Sequence, residues 1–155
     1  MKKLDLMIIL GLILTAPMSA MADDVADIKS VMEKHFVTFA AGDAVGHIAH
    51  HMAGSSSFGL DGGALAVYDS LEEETAELQA SFDEGYKYDF KLVDLDVAVY
   101  GDMAVVTSRQ TGTVTTPDGK TEKVNNRRTA VVVRDGSDWK EVHSHISAHV
   151  EESTE

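Results

Sequence analysis

Apolar residues recur every three or four positions in the first half of the chain and alternate with polar residues in the second half. The first pattern predicts helices over residues 24–41 and 44–52, and a third helix between Ser70 and Gly85. Ser70 and Glu73 have the spacing of a capping box, in which two side chains bind free amides at the start of a helix. The apolar stripe of the first helix consists of Val25, Ile28, Met32, His35, Phe36 and Phe39.

The alternating pattern after Gly85 predicts four long antiparallel strands over residues 86–100, 103–115, 120–134 and 139–150. Short turns containing Asp or Gly separate these strands. A glycine-rich segment inside residues 55–68 predicts an additional short hairpin. Helices followed by a strand meander are typical of an α+β domain, with the helices packed on one face of the sheet.

The N-terminal segment has the features of a secretory signal peptide. Lys2 and Lys3 precede nine apolar residues, 6–14, and Ala20-Met21-Ala22 follows as a small-x-small cleavage site. Cleavage after Ala22 leaves one domain over residues 23–150 and a tail, residues 151–155, that we expect to be disordered. Nine apolar residues are too few to span a bilayer, which needs about 20, so we expect no membrane insertion. The predicted location is periplasmic or extracellular.

Composition narrows the possible partners and chemistry. The chain has 13 Lys and Arg against 26 Asp and Glu, which gives a formal net charge of −13. This charge argues against nucleic-acid binding, which depends on clusters of Lys and Arg. The chain has no Cys, so disulfides, thiol nucleophiles and cysteine metal ligands are all excluded.

Histidines near the C-terminus are the strongest candidates for chemistry. His143, His145, Ser147 and His149 alternate along the last strand, so in a regular strand they share one face. Adjacent imidazoles of this kind suit a hydrogen-bonding or surface role, an acid/base or ligand-binding role, or coordination of Zn or Cu with a third ligand from elsewhere. All three alternatives stay open.

A second group of histidines lies in the predicted second helix. His47, His50 and His51 fall opposite its apolar face, which predicts a solvated position, although the i, i+4 pair His47 and His51 can reach one metal ion. His35 belongs to the apolar stripe of the first helix and is predicted to be a core or rim histidine.

The remaining candidates carry weaker signals. Tyr68 and Tyr88 can donate a hydrogen bond to a ligand, and Arg109 can bind a carboxylate. Asp61 lies in the glycine-rich hairpin, where turn chemistry also accounts for it. The pair at 127–128 is predicted to bind an acidic side chain within the protein, and Trp139 is predicted to anchor the core.

The C-terminal segment 128–147, RTAVVVRDGSDWKEVHSHIS, resembles the SnoaL-like branch of the nuclear transport factor 2-like superfamily. Members of this branch often end in Trp-Lys/Arg-x-Val-His-x-His-x-Ser after an Asp-Gly turn. The segments AGD at 41–43 and SSFGLDGG at 56–63 add to the resemblance. It implies a cone made of a curved antiparallel sheet on three N-terminal helices, with a pocket at the open end and His145 and Ser147 facing that pocket. It also implies a homodimer formed through the sheet.

We therefore expect an exported SnoaL-like domain that binds a small organic molecule in the open end of its cone, with no cofactor and no assigned catalysis. Pocket candidates are His145, Ser147, Tyr68, Tyr88, Arg109 and Asp61. The carboxylate base and oxyanion-hole residues of ketosteroid isomerase-like enzymes have no counterpart that can be placed here.

Two alternatives remain, and whether the protein is an enzyme is left open. One is an isomerase-, cyclase- or dehydratase-like enzyme with His145 as acid or base and Tyr68, Tyr88 or Arg109 contacting the substrate. The other is a periplasmic Zn- or Cu-binding protein that uses His143 and His145 together with a histidine of the second helix.

Overall fold

The computed structural model describes residues 18–59 and 63–149, with side chains from Asp23 onward. These residues form three helices and a six-stranded sheet. The elements, in chain order, are α1 (Met18–Ala40), α2 (Ala44–Ile48), β1 (His51–Phe58), β2 (Ala66–Val67), α3 (Leu71–Asp83), β3 (Lys87–Tyr100), β4 (Met103–Thr115), β5 (Thr121–Asp135) and β6 (Asp138–Ala148). The apolar run 6–14, Asp61 and the tail 151–155 lie outside the described residues. Helix α1 begins before the predicted cleavage site at Ala22.

The sheet has the strand order β2-β1-β6-β5-β4-β3 and is curved without closing into a barrel. Strands β3 to β6 form the predicted antiparallel meander. Strand β1 pairs antiparallel with β2, as expected for the hairpin, but parallel with β6. The α+β cone expected from the sequence is confirmed. No helix within residues 18–59 and 63–149 is both long and apolar enough to cross a membrane.

The packed core lies where α1 crosses the sheet. Ile28 and Met32 of α1 are fully buried against Trp139 of β6, so the predicted roles of the apolar stripe and of Trp139 are confirmed. Small and β-branched side chains complete this cluster, namely Ala104, Val106, Ala130 and Val132. Asp24, the first residue of the predicted first helix, lies inside α1, and its carboxylate accepts a hydrogen bond from Arg134 at 2.6 Å.

Helix α2 is shorter than its periodicity predicts. It is capped by Asp43, whose side chain accepts from the amide of Gly46, but it ends at Ile48, and β1 begins at His51. The backbone oxygen of His50 accepts a hydrogen bond from the amide of Glu141, 2.8 Å away, so pairing with β6 replaces the last helical turn. The predicted faces are therefore wrong here: Val45 is 70% exposed, whereas His47 is buried.

A β-bulge in β6 decides which side chains face the helices. Val132 pairs with Glu141, and the adjacent Val131 pairs with His143, so Val142 is an extra residue in β6. Because side chains alternate along a strand, this insertion changes which residue numbers point inward. Glu141 and Ser144 are consequently both buried, whereas His145 is exposed.

Gly112 of β4 permits a close approach between β4 and β3. Its φ is +145°, and a Cβ at this position would lie 1.9 Å from the carbonyl oxygen of Asp89. We expect Gly112→Ala to lower the free energy of unfolding by roughly 2–5 kcal/mol, because backbone strain and steric overlap add. Urea unfolding monitored by circular dichroism measures this loss.

Gly119 provides the matched control for Gly112→Ala. Its φ is +84°, but no described atom lies within 4 Å of a Cβ built there. Gly119→Ala should therefore lose only about 1–2 kcal/mol, from backbone strain alone. Equal losses in the two variants would contradict the close-approach argument.

Candidate functional site

A cavity of about 340 Å³ opens between the helices and the concave side of the sheet. Side chains from all three helices and from five of the strands line it. One wall is aromatic: the ring of Phe39 stacks on Tyr88 with centroids 4.5 Å apart and on His47 with centroids 4.6 Å apart. The hydroxyl of Tyr88 lies 2.8 Å from Ser81 Oγ in a hydrogen bond, which holds the ring in place.

Three histidines from three different elements meet in this cavity. His35 comes from α1, His47 from α2 and His51 from the start of β1. Each ring offers one nitrogen, and these three nitrogens lie within 4.8 Å of one another. The rings of His35 and His47 are in contact, with centroids 3.7 Å apart. We call these three residues the histidine cluster.

Hydrogen bonds fix the orientation of two rings of the cluster. Nδ1 of His47 donates to the backbone oxygen of His35 at 2.8 Å, which leaves Nε2 as the nitrogen with a lone pair. Nδ1 of His51 lies 2.7 Å from the Glu74 carboxylate, whose second oxygen accepts from Ser55 Oγ at 3.2 Å. Glu74 is itself buried, on the inner face of α3.

Two ring nitrogens of the cluster are buried without a hydrogen bond. Nδ1 of His35 and Nε2 of His51 have no hydrogen-bonding partner among the residues that the structure describes. Buried polar groups are nearly always paired in folded proteins, because an unpaired one costs about 1–3 kcal/mol. Both nitrogens are therefore available to a further partner in the cavity, such as water or a ligand.

Burial keeps two histidines of the cluster, His35 and His47, uncharged near neutral pH. Desolvation lowers the pKa of His35 well below its usual 6.5, and the neighbouring His47 and His51 lower it further. Desolvation also lowers the pKa of His47 to about 4, against the opposing effect of its hydrogen bond to the His35 backbone. Uncharged imidazoles retain a lone pair for a proton or a metal ion.

A buried ion pair borders the cluster. Nη2 of Arg128 lies 2.6 and 2.5 Å from the two carboxylate oxygens of Glu141, and both side chains are only 4% exposed. Burial alone would raise the pKa of Glu141, but Arg128 beside it holds the value below the usual range. The prediction that the arginine pair at 127–128 binds an acidic side chain is confirmed for Arg128.

Two of the predicted pocket residues line the cavity. Tyr88 belongs to the aromatic wall, and Tyr68 also lines the cavity, with its hydroxyl donating to Glu77 at 3.3 Å. Burial, together with the Glu77 carboxylate, raises the pKa of Tyr68 to about 12. The Tyr68 phenol is therefore protonated, and both phenol hydroxyls already have a hydrogen-bonding partner within the protein.

The other predicted residues do not line this cavity. His145 and Ser147 instead border a shallow depression beside Phe58, because the bulge at Val142 turns them away from the cavity. Nδ1 of His143 lies 2.9 Å from Ser56 Oγ in a hydrogen bond. Arg109 faces away from the buried residues of β4 and pairs with Asp94 at 2.7 Å. Asp61 lies outside the described residues, and the functional roles assigned to these side chains stay predictions.

Two features of the sequence point to the histidine cluster without identifying it. The i, i+4 spacing of His47 and His51 suggested a shared ligand, yet a helical projection placed both on a solvated face. Glu74 lies between Leu71 and Leu78 at helical spacing. It is therefore a carboxylate within an apolar stripe, which distinguishes it from the other acidic residues of this helix. Nothing local in the sequence indicates that α1, α2, β1 and α3 converge.

Comparison with known proteins identifies the family. The sequence profile of the SnoaL-like domain matches residues 28–151. The chain belongs to the SnoaL-like domain family. A search of curated proteins finds no significant match for this SnoaL-like domain.

Solved structures share the fold of this SnoaL-like domain at low sequence identity. A dehydratase candidate of the nuclear transport factor 2-like family from Streptomyces avermitilis has a TM-score of 0.71 and 18% identity, over 84% of this chain and 99% of that one. A ketosteroid isomerase-like protein from Erwinia carotovora atroseptica has a TM-score of 0.68 and 18% identity, over 83% and 98%. A nuclear transport factor 2-like protein of unknown function from Pseudomonas putida has a TM-score of 0.68 and 20% identity, over 86% and 92%. These similarities establish the fold alone.

The buried histidines predict that stability falls in mildly acidic solution. Below about pH 6.5 the unfolded chain binds protons that folded His35 and His47 do not. Their contribution to the free energy of unfolding is complete above pH 6.5. It is lost as the pH falls toward the pKa of the folded state, which is about 4 for His47. Each histidine contributes a slope of up to about 1.4 kcal/mol per pH unit. Urea unfolding between pH 7.5 and 5, with a chelator present, measures this slope.

His47→Gln should unfold with a shallower pH dependence than the wild type, because one proton-binding difference is removed. His145→Gln is the matched control, since that side chain is exposed, and it should keep the wild-type slope. A wild-type slope in His47→Gln would show that His47 is not kept uncharged by burial.

Proposed function

We propose that this SnoaL-like domain binds one small organic molecule in its cone cavity. The observation that carries the proposal is the cavity itself: about 340 Å³, lined by aromatic rings and by buried polar groups. This volume lies at the lower end of the range for ligand pockets, about 300–1,000 Å³, so the ligand is expected to be small.

The lining favours a planar, amphipathic ligand. The stacked rings of Phe39 and Tyr88 provide a flat apolar surface for an aromatic or alicyclic body. Polar lining groups such as Gln110, Ser144 and the histidine cluster offer hydrogen bonds to a polar end. Family membership is consistent with this assignment.

The acid/base alternative that uses His145 receives less support from the geometry. His145 borders the depression beside Phe58, whereas its proposed partners Tyr68 and Tyr88 line the cavity. A substrate in the cavity would therefore not be in contact with His145. The metal alternative through His143 and His145 likewise lacks a ligand from α2, because His47 lies in the cavity. The homodimer expected from the resemblance stays a prediction, because the structure contains one chain.

Filling the cavity should abolish ligand binding. Leu78 of α3 lines the cavity, so Leu78→Trp replaces its isobutyl side chain with a larger indole ring in the volume that the ligand would occupy. We expect benzoate, phenol, indole or 2-naphthoate to give saturation-transfer NMR signals with the wild type that disappear in Leu78→Trp.

Ala76→Trp is the matched control for Leu78→Trp. Ala76 lies on the same helix but faces an apolar groove outside the cone, so the variant should bind like the wild type. Circular dichroism checks that both variants are folded. Binding in the cavity would be contradicted if the probes still bound Leu78→Trp or if binding was lost only in Ala76→Trp. The failure of all four probes to bind the wild type would also contradict it.

We also propose that the protein is exported and processed after Ala22. The support is the order of Lys2 and Lys3, the apolar run 6–14 and the small-x-small site. Expression of the full chain in a bacterial host should yield periplasmic or secreted protein whose first residue, by mass spectrometry, is Asp23. Leu10→Arg interrupts the apolar run and should leave the chain unprocessed. An intact N-terminus in the wild type would contradict export by this route.

A further inference from the structure

The spacing of the nitrogens in the histidine cluster is slightly larger than in an occupied metal site, so the side chains would move together around the ion. Around tetrahedral zinc, with Zn–N bonds of about 2.0–2.1 Å, ligand nitrogens lie about 3.3–3.4 Å apart. The three nitrogens of His35, His47 and His51 already lie within 4.8 Å of one another. The largest approach required is therefore about 1.5 Å, within the range of small χ rotations.

The outer contacts of the cluster are those of metal-binding histidines. Such a histidine usually donates its second ring nitrogen to a carboxylate or a backbone carbonyl, which fixes the ring and raises its basicity. His51 makes the carboxylate contact with Glu74, and His47 makes the carbonyl contact with His35. In both rings Nε2 is the nitrogen left to coordinate.

Charge around the cluster also favours a cation. Glu74 is nine-tenths buried, and its hydrogen-bonding partners among the described residues are His51 and Ser55, neither of which is a fixed cation. The nearby Arg128 is engaged by Glu141. A divalent ion on His51 would offset the buried charge of Glu74, which is otherwise costly in this position.

We propose that His35, His47 and His51 bind one Zn²⁺ ion at the inner end of the cone cavity. Three neutral imidazoles without thiolates suit zinc among the common divalent ions. Because all three histidines line the cavity, a fourth coordination position faces it, as in open three-ligand zinc sites. The site shares no residue with the pair His143 and His145. It lies in the cavity proposed for the organic ligand, but zinc binding to the ligand-free protein needs no organic molecule.

Zinc titration of untagged protein, first stripped with a chelator, tests the proposal. Isothermal titration calorimetry should show one Zn²⁺ per chain, and the melting temperature should rise with zinc, because the ion binds the folded state. His35→Gln, His47→Gln and His51→Gln should each abolish this binding. The double variant His143→Gln/His145→Gln is the matched control and should bind like the wild type.

Glu74→Gln tests the site without removing a ligand. Glutamine keeps an oxygen for His51 and Ser55 but loses the charge, so zinc affinity should fall about 10–100-fold while the stoichiometry stays at one. A merely structural Glu74 would change stability without changing zinc affinity. This variant remains informative if the histidine variants fail to fold.

Cobalt substitution of the wild type provides a second measurement that needs no variant. Co²⁺ in the cluster should show the intense visible absorption of a four-coordinate site. The proposal would be overturned if the wild type did not bind zinc or if cobalt gave a six-coordinate spectrum. It would equally be overturned if binding persisted in all three folded histidine variants or was lost in the His143/His145 control.

Discussion

A buried ion pair between Arg128 of β5 and Glu141 of β6 stands where the packed core of the cone meets its cavity. The guanidinium also lies over the ring of Phe36, 5.5 Å from its centroid, and donates to Sδ of Met32, so it connects the sheet to α1. Such a pair contributes little net stability, because desolvation offsets the attraction, but loss of either partner leaves an unpaired buried charge and costs about 3–5 kcal/mol. Residues around this part of the cavity must therefore be compatible with keeping both Arg128 and Glu141.

The bulge at Val142 explains why β6 serves both regions. Trp139 packs in the core before the bulge, and Ser144 faces the cavity after it, although an unbroken alternation would have put the odd-numbered His145 there. Hydrophobic alternation predicted the bounds of the four long strands to within two residues at every end. It could not predict the bulge, which depends on pairing with β5 and β1 rather than on residues next to Val142.

The histidine cluster shows a similar limit of local patterns. The sequence correctly assigned His35 to a buried stripe, but the helical projection of His47 and His51 failed because β6 pairing ends α2 early. Glu74 lies 23 positions beyond His51, and only the packing of α3 against β1 brings the two together. Periodicity therefore predicts which side chains are buried more reliably than it predicts which of them meet.

Helix α1 shows how one apolar stripe can create both a core and a site. Ile28 and Met32 fill the space against the sheet, and the next inward positions, His35 and Phe39, reach the cavity. An aliphatic residue in place of His35 would continue the core without changing the fold. The family resemblance rests mainly on the C-terminal strand and accounts for the cone, whereas the chemistry of the cavity comes from α1, α2, β1 and α3. The histidine cluster is therefore a candidate site separate from the C-terminal histidines that make the family recognisable.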